Sequence, residues 1–60
     1  MSAYAAAYDR GLAFGEAHPG RIDSEINTAL DNRDLAVSYD DWTGYVAGLA
    51  AAKVRRGEDG

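Results

Sequence analysis

The 60-residue chain contains no cysteine, one proline and one histidine. Without cysteine it has neither a disulfide nor a thiolate metal site, although chains this short often depend on such staples. His18 has no identifiable orienting group or nucleophile in the sequence, and no serine occupies a strand-turn-helix elbow. We therefore expect a non-enzymatic protein without a metal or cofactor.

Long hydrophobic segments are also missing. No apolar run approaches the roughly 20 residues that span a bilayer. Residues 1–7 are uncharged and mildly apolar, unlike the basic and then strongly apolar segments of a secretion signal. We expect a cytoplasmic protein with no membrane partner. The alanine- and arginine-rich composition is typical of a GC-rich bacterium or one of its phages, in which case the compartment is the host cytoplasm.

Basic residues are few, since six Lys and Arg stand against ten Asp and Glu, for a net charge of −4. The negative charge is densest in residues 21–40. A free-standing nucleic-acid-binding protein usually displays a basic stripe. The basic cluster of Lys53, Arg55 and Arg56 lies where cations favour a helix C-terminus. Direct nucleic-acid binding is therefore not expected.

Local signals predict an all-α fold of three helices in a single domain. The predicted ranges are about 3–17, 23–34 and 39–56, with a frayed tail at 57–60. Ser2, Asp23 and Ser38 are the predicted N-caps, because short polar side chains accept hydrogen bonds from the first free amides of a helix. Ser38 with Asp41 resembles a capping box, and Val37 and Trp42 hold the positions of a hydrophobic staple.

Four glycines lie inside the first and third predicted helices, where each costs roughly 0.5–1 kcal/mol relative to alanine. They form two Gly-x-x-x-Gly pairs, Gly11 with Gly15 and Gly44 with Gly48. Close approach of another backbone offsets this cost. We therefore expect helices 1 and 3 to pack across their glycine faces, next to Trp42.

Aromatic residues are numerous for so small a core. The predicted core is Phe14, Ile26, Leu30, Val37, Trp42, Val46 and Leu49. Trp and Tyr side chains anchor interfaces as well as cores, and acidic groups add charge complementarity. The candidate partner-binding residues are therefore Tyr4, Tyr8, Tyr39, Tyr45, Asp31, Asp34 and Asp40.

Two segments carry a family resemblance that covers about a third of the chain. Residues 8–15 (YDRGLAFG) and 42–48 (WTGYVAG) are similar to the two helical signatures of the ribosome modulation factor family. The resemblance implies a ribosome-associated function, with Arg10, Gly11, Gly15, Gly44 and Tyr45 on the shared pattern. This chain differs from the basic family in its acidic charge and in a longer link between the signatures.

The leading functional hypothesis is a small acidic module that docks on a larger protein or complex and inhibits it. A ribosome-associated factor is the second hypothesis. A homodimer or other homo-oligomer with a structural or assembly role is the third. A fourth is mimicry of nucleic-acid phosphates by the acidic side chains of Asp23, Glu25, Asp31, Asp34, Asp40 and Asp41.

Overall fold

The computed structural model describes residues 2–32 and 38–59, with side chains described as far as residue 55. It confirms the all-α fold with three helices in these residues. Helix α1 spans Ala3–Ala17, α2 spans Ile22–Asp31 and α3 spans Tyr39–Asp59, and a short 3-10 turn at Pro19–Arg21 precedes α2.

Helix α1 begins and ends where its local signals predict. The Ser2 hydroxyl accepts a hydrogen bond from the Ala5 amide at 3.1 Å, which confirms the predicted N-cap. At the other end, the His18 amide donates to the Phe14 carbonyl at 2.8 Å. His18 has φ −132° and ψ 65°, outside the α region that a following proline disfavours, so α1 stops before Pro19.

The prediction that Asp23 is the N-cap of α2 is wrong. Pro19 starts a 3-10 turn, in which the Arg21 amide donates to the His18 carbonyl at 2.9 Å. This turn leads directly into α2, whose N-cap is Arg21 without a side-chain hydrogen bond. Asp23 consequently lies in the first turn together with Glu25, where carboxylates interact favourably with the helix dipole.

Helix α2 is shorter than its predicted range of 23–34. Its last residue is Asp31, and the Asn32 amide closes the end by donating to the Thr28 carbonyl at 3.0 Å. The asparagine side chain forms hydrogen bonds with nearby backbone groups in competition with the helix, so asparagine favours helix ends over interiors. The predicted core residue Val37 and the candidate Asp34 lie outside the described residues.

Helix α3 begins at the predicted cap and extends past the predicted end. The Ser38 hydroxyl accepts from the Asp41 amide at 3.0 Å, which confirms this cap. The helix continues to Asp59, three residues past the predicted end at residue 56. Gly57 lacks the positive φ with which a glycine usually terminates a helix, and no proline follows it.

Helices α1 and α3 are parallel and their backbones touch, which confirms the predicted glycine packing. Residues along α1 meet residues along α3 in the same order, from Tyr4 against Gly44 to Gly15 against Ala52. A Cβ atom added to Gly48 would lie closer than 3.0 Å to the Tyr8 carbonyl oxygen. Only a residue without a side chain permits such an approach, so these glycines are structural.

Helix α2 covers one side of this pair and is antiparallel to α3. Three contacts establish the direction: Lys53 with Asp23, Tyr45 with Glu25, and Trp42 with Ala29. The arrangement brings the end of α2 to the beginning of α3. It also places the middle of α1 beside the same junction, because Arg10 reaches Asp41.

The buried core consists of smaller residues than the sequence predicts. Its fully buried apolar members are Ala7, Ile22, Leu49 and Ala52, with Phe14, Ile26, Leu12 and Tyr45 packed partly buried around them. Alanines fill the α1–α3 interface because the backbones are too close for larger side chains. Leu30 is 48% exposed and its assignment to the core is wrong, since the neighbouring Ala29 faces α3 instead.

Candidate functional site

A cleft of about 420 Å³ lies at the junction of the three helices. Its described lining residues are Arg10 from α1, Glu25, Thr28, Ala29 and Asn32 from α2, and Asp41, Trp42 and Tyr45 from α3. The cleft lies where the last turns of α2 meet the first turns of α3 and the middle of α1.

One wall of the cleft is built by an ion pair between α1 and α3. Arg10 Nη2 donates to Asp41 Oδ1 at 3.0 Å, and the Arg10 guanidinium also lies 5.9 Å from the centre of the Tyr45 ring. The Asp41 side chain, 27% exposed, is more enclosed than the 57% exposed Arg10 side chain. The Asp41 carboxylate thus pairs with Arg10 of α1, while the Asp41 backbone amide donates to the Ser38 hydroxyl.

A second polar contact joins α2 to α3. The Tyr45 hydroxyl donates to Glu25 Oε1 at 2.9 Å. Burial raises the pKa of Tyr45 to about 12, and the hydrogen bond to Glu25 and its negative charge act in the same direction, while Arg10 partly opposes them. Tyr45 is therefore protonated at neutral pH and serves as a hydrogen-bond donor.

Trp42 fixes the floor of the cleft. Its indole Nε1–H donates to the Ala29 carbonyl at 2.7 Å. This bond satisfies the polar atom of a partly buried side chain and fixes the orientation of the ring. Tyr39, which is 71% exposed, does not line the cleft but lies 6.2 Å from Trp42 between ring centres.

The structure brings some of the predicted partner-binding residues together and separates others. Tyr45 lines the cleft, and Tyr39 contacts the lining residue Trp42. Tyr4 and Tyr8 stack on each other along α1 at 6.4 Å and do not line the cleft. Asp31 and Asp40 are exposed to solvent.

Arg10, Glu25 and Asp41 line the cleft although they are not among the candidate partner-binding residues; the sequence places Glu25 and Asp41 only in the mimicry hypothesis and Arg10 only on the family-like pattern. Helical periodicity places a residue on a face of its own helix but does not say which face of another helix it meets. Arg10 and Asp41 are 31 positions apart. No local pattern connects two residues at that separation.

The predicted basic cluster at the end of α3 is partly neutralised. Lys53 Nζ lies 2.7 Å from Asp23 Oδ1, and Arg55 Nη1 lies 3.0 Å from Glu16 Oε1. All four side chains are more than half exposed, so each pair adds little stability.

Among the residues that the structure describes, no group of three or more His, Cys, Asp or Glu side chains is arranged to hold a metal ion. Likewise, no helix within this part of the chain has the length and apolar character to cross a membrane.

Comparison of the chain with protein-family models, with curated proteins and with solved structures gives no match in any of the three. In its described residues the protein is a three-helix domain with an aromatic and charged cleft.

Proposed function

We propose that this protein is a non-enzymatic binding module that docks on a larger protein and inhibits it. The observation that carries the proposal is the cleft at the three-helix junction, with Trp42 and Tyr45 in its walls. Tryptophan and tyrosine are among the residue types that contribute most to the energy of protein interfaces. The gene of a phage or another mobile element is a fitting source for such a small inhibitor.

The position of the glycines supports a partner at the cleft rather than at the glycine faces. Gly11, Gly44 and Gly48 each face a backbone carbonyl of the opposite helix in the same chain. Their close contacts are already made within the monomer. The homodimer hypothesis thereby loses the small-residue faces that favoured it.

The chemistry of the cleft supports binding rather than catalysis. Tyr45 holds its proton to a pKa of about 12 and donates it in a hydrogen bond to Glu25. His18, the single imidazole of the chain, lies at the end of α1 against the Phe14 ring and does not line the cleft. Hot-spot side chains on a framework of three helices give the preorganised surface that binding needs.

Affinity capture from the lysate of a bacterial host tests the proposal. The tagged protein should retain one dominant non-ribosomal protein, whose activity then falls when the purified module is added. Tyr39→Ala should reduce the capture, because Tyr39 is exposed and lies against Trp42 of the cleft. Tyr4→Ala is the matched control, since Tyr4 is also an exposed tyrosine at 43% but neither it nor its ring partner Tyr8 lines the cleft. No retained protein, or equal capture by both variants, would contradict the proposal.

A ribosome-associated function is the second candidate. It is favoured by one observation: residues of both family-like segments form one structural unit, in which Gly11 faces Tyr45 and Arg10 lies over the Tyr45 ring. The same capture distinguishes the two candidates. Ribosomal proteins that are retained at low salt and lost at high salt would support the ribosome, because contacts with RNA phosphates weaken steeply with salt.

A further inference from the structure

We infer that the cleft receives a guanidinium group, the arginine side chain of a partner protein, at a position that Arg10 occupies in the free module. The inference rests on the proposed function, since it names the chemistry of the partner at the same cleft. It commits to a cationic side chain and not to an anionic ligand.

The lining of the cleft is complementary to a cation. The charged groups among its described residues are the two carboxylates of Glu25 and Asp41 and the one guanidinium of Arg10, a net charge of −1. The Tyr45 ring supplies an aromatic face that attracts cations. A planar guanidinium matches carboxylates and aromatic faces better than a compact ammonium group does.

The protein already shows this recognition within its own chain. The Arg10 guanidinium donates to Asp41 at 3.0 Å and lies 5.9 Å from the centre of the Tyr45 ring. It therefore makes both contacts expected of a bound arginine. Each carboxylate also has a second oxygen, Asp41 Oδ2 and Glu25 Oε2, with no hydrogen-bond partner among the described residues.

Arg10 is held weakly enough to be displaced. Its side chain is 57% exposed, and ion pairs with such exposure contribute little free energy. An incoming arginine can take the place of Arg10 at Asp41 and use the remaining oxygens. Removal of Arg10 should therefore strengthen the binding of a cation, whereas it would abolish the binding of an anion.

The experiment is an NMR titration of the whole protein with N-acetylarginine amide, followed at the Trp42 indole N–H and the Tyr45 amide. We expect saturable shifts of both signals. Arg10→Gln should lower Kd by about two- to fivefold, the range set by an exposed ion pair. Asp41→Asn should raise Kd by about tenfold, because a charge-assisted hydrogen bond is lost.

Arg55→Gln is the matched control for Arg10→Gln. It removes an arginine of similar exposure, 65%, from an ion pair of the same length, 3.0 Å, with Glu16 outside the cleft. Its Kd should equal that of the parent protein. Far-UV circular dichroism checks that each variant keeps its helices.

Three results would overturn the inference. The first is that the arginine probe causes no saturable shift in the parent protein or in Arg10→Gln, and the second is that the probe binds Arg10→Gln more weakly than the parent. The third is that inorganic phosphate shifts the same signals in the parent and that Arg10→Gln abolishes these shifts. Failure of the arginine probe overturns the guanidinium site whatever the lysate capture yields. The predicted order of the variants supports the site even when capture fails, in which case only the proposed docking function is contradicted.

Discussion

Replacing Gly48 by alanine tests the contact between the α1 and α3 backbones. The added Cβ would lie 2.7 Å from the Leu12 amide nitrogen and closer still to the Tyr8 carbonyl oxygen. Both neighbours are backbone atoms of α1, which cannot rotate away as a flexible side chain can. The two helices must therefore separate along their shared face.

The expected cost follows from two opposing effects. In an isolated helix, alanine in place of glycine stabilises by about 1 kcal/mol. Overpacking a tight interface destabilises by about 1–3 kcal/mol, and the rigid backbone neighbours of Gly48 demand the upper part of this range or more. We expect Gly48→Ala to lower the free energy of unfolding by about 1–3 kcal/mol. Gly48→Leu adds three further carbon atoms and should cost more.

Thermal unfolding followed by circular dichroism measures the effect. In a domain of this size, 1 kcal/mol shifts Tm by about 4–8 °C, so Gly48→Ala should melt about 5–20 °C below the parent. Gly20→Ala is the matched control, because a Cβ there meets nothing within 4 Å and the backbone has no positive φ. It should leave Tm unchanged or raise it slightly. If Gly48→Ala melts at or above the Tm of the parent, the close packing of α1 and α3 is wrong.

Three further predictions concern caps and polar contacts. Ser38→Ala should lower stability by about 1 kcal/mol in urea unfolding, because the Asp41 amide loses its cap; an unchanged midpoint would contradict that role. Trp42→Phe should lower the free energy of unfolding by about 1 kcal/mol or more, because the hydrogen bond from the indole to the Ala29 carbonyl is lost. Trp42→Leu should lower it further, because Phe keeps an aromatic ring and Leu does not. The raised pKa of Tyr45 stabilises the fold fully below pH 10, and this contribution falls as pH rises from 10 towards 12. Tyr45→Phe should reduce the loss of stability between pH 10 and 12 in unfolding curves, and it should remove one tyrosinate from the ultraviolet titration near pH 12. Curves identical to those of the parent would refute the raised pKa of Tyr45.

Signals carried by neighbouring residues predicted the helices well. Ser2 and Ser38 act on amides three positions later, and His18-Pro19 ends a helix through the geometry of one peptide unit. The glycine pairs also predicted their packing, because glycine inside a helix implies a close neighbour. The prediction of an N-cap at Asp23 failed because the 3-10 turn before α2 leads directly into that helix.

Contacts between helices could not be predicted in the same way. The sequence gives no direction for α1 relative to α3, and the parallel arrangement decides which side chains meet. Leu30 and Ala29 are adjacent but lie about 100° apart around the helix axis, and the rotation of α2 about that axis determines which of them faces Trp42. The ion pair of Arg10 with Asp41 depends on both of these unknowns, so the cleft emerges only from the assembled helices.

Hydrogen exchange of the module with and without its captured partner tests the central claim most directly. The account predicts new protection at the cleft, in residues 28–32 at the end of α2 and 41–45 at the start of α3. The amides of residues 13–17 at the end of α1, which do not line the cleft, should exchange at unchanged rates. Protection confined to α1, with unchanged exchange at the cleft, would contradict the claim that this module docks through the three-helix junction.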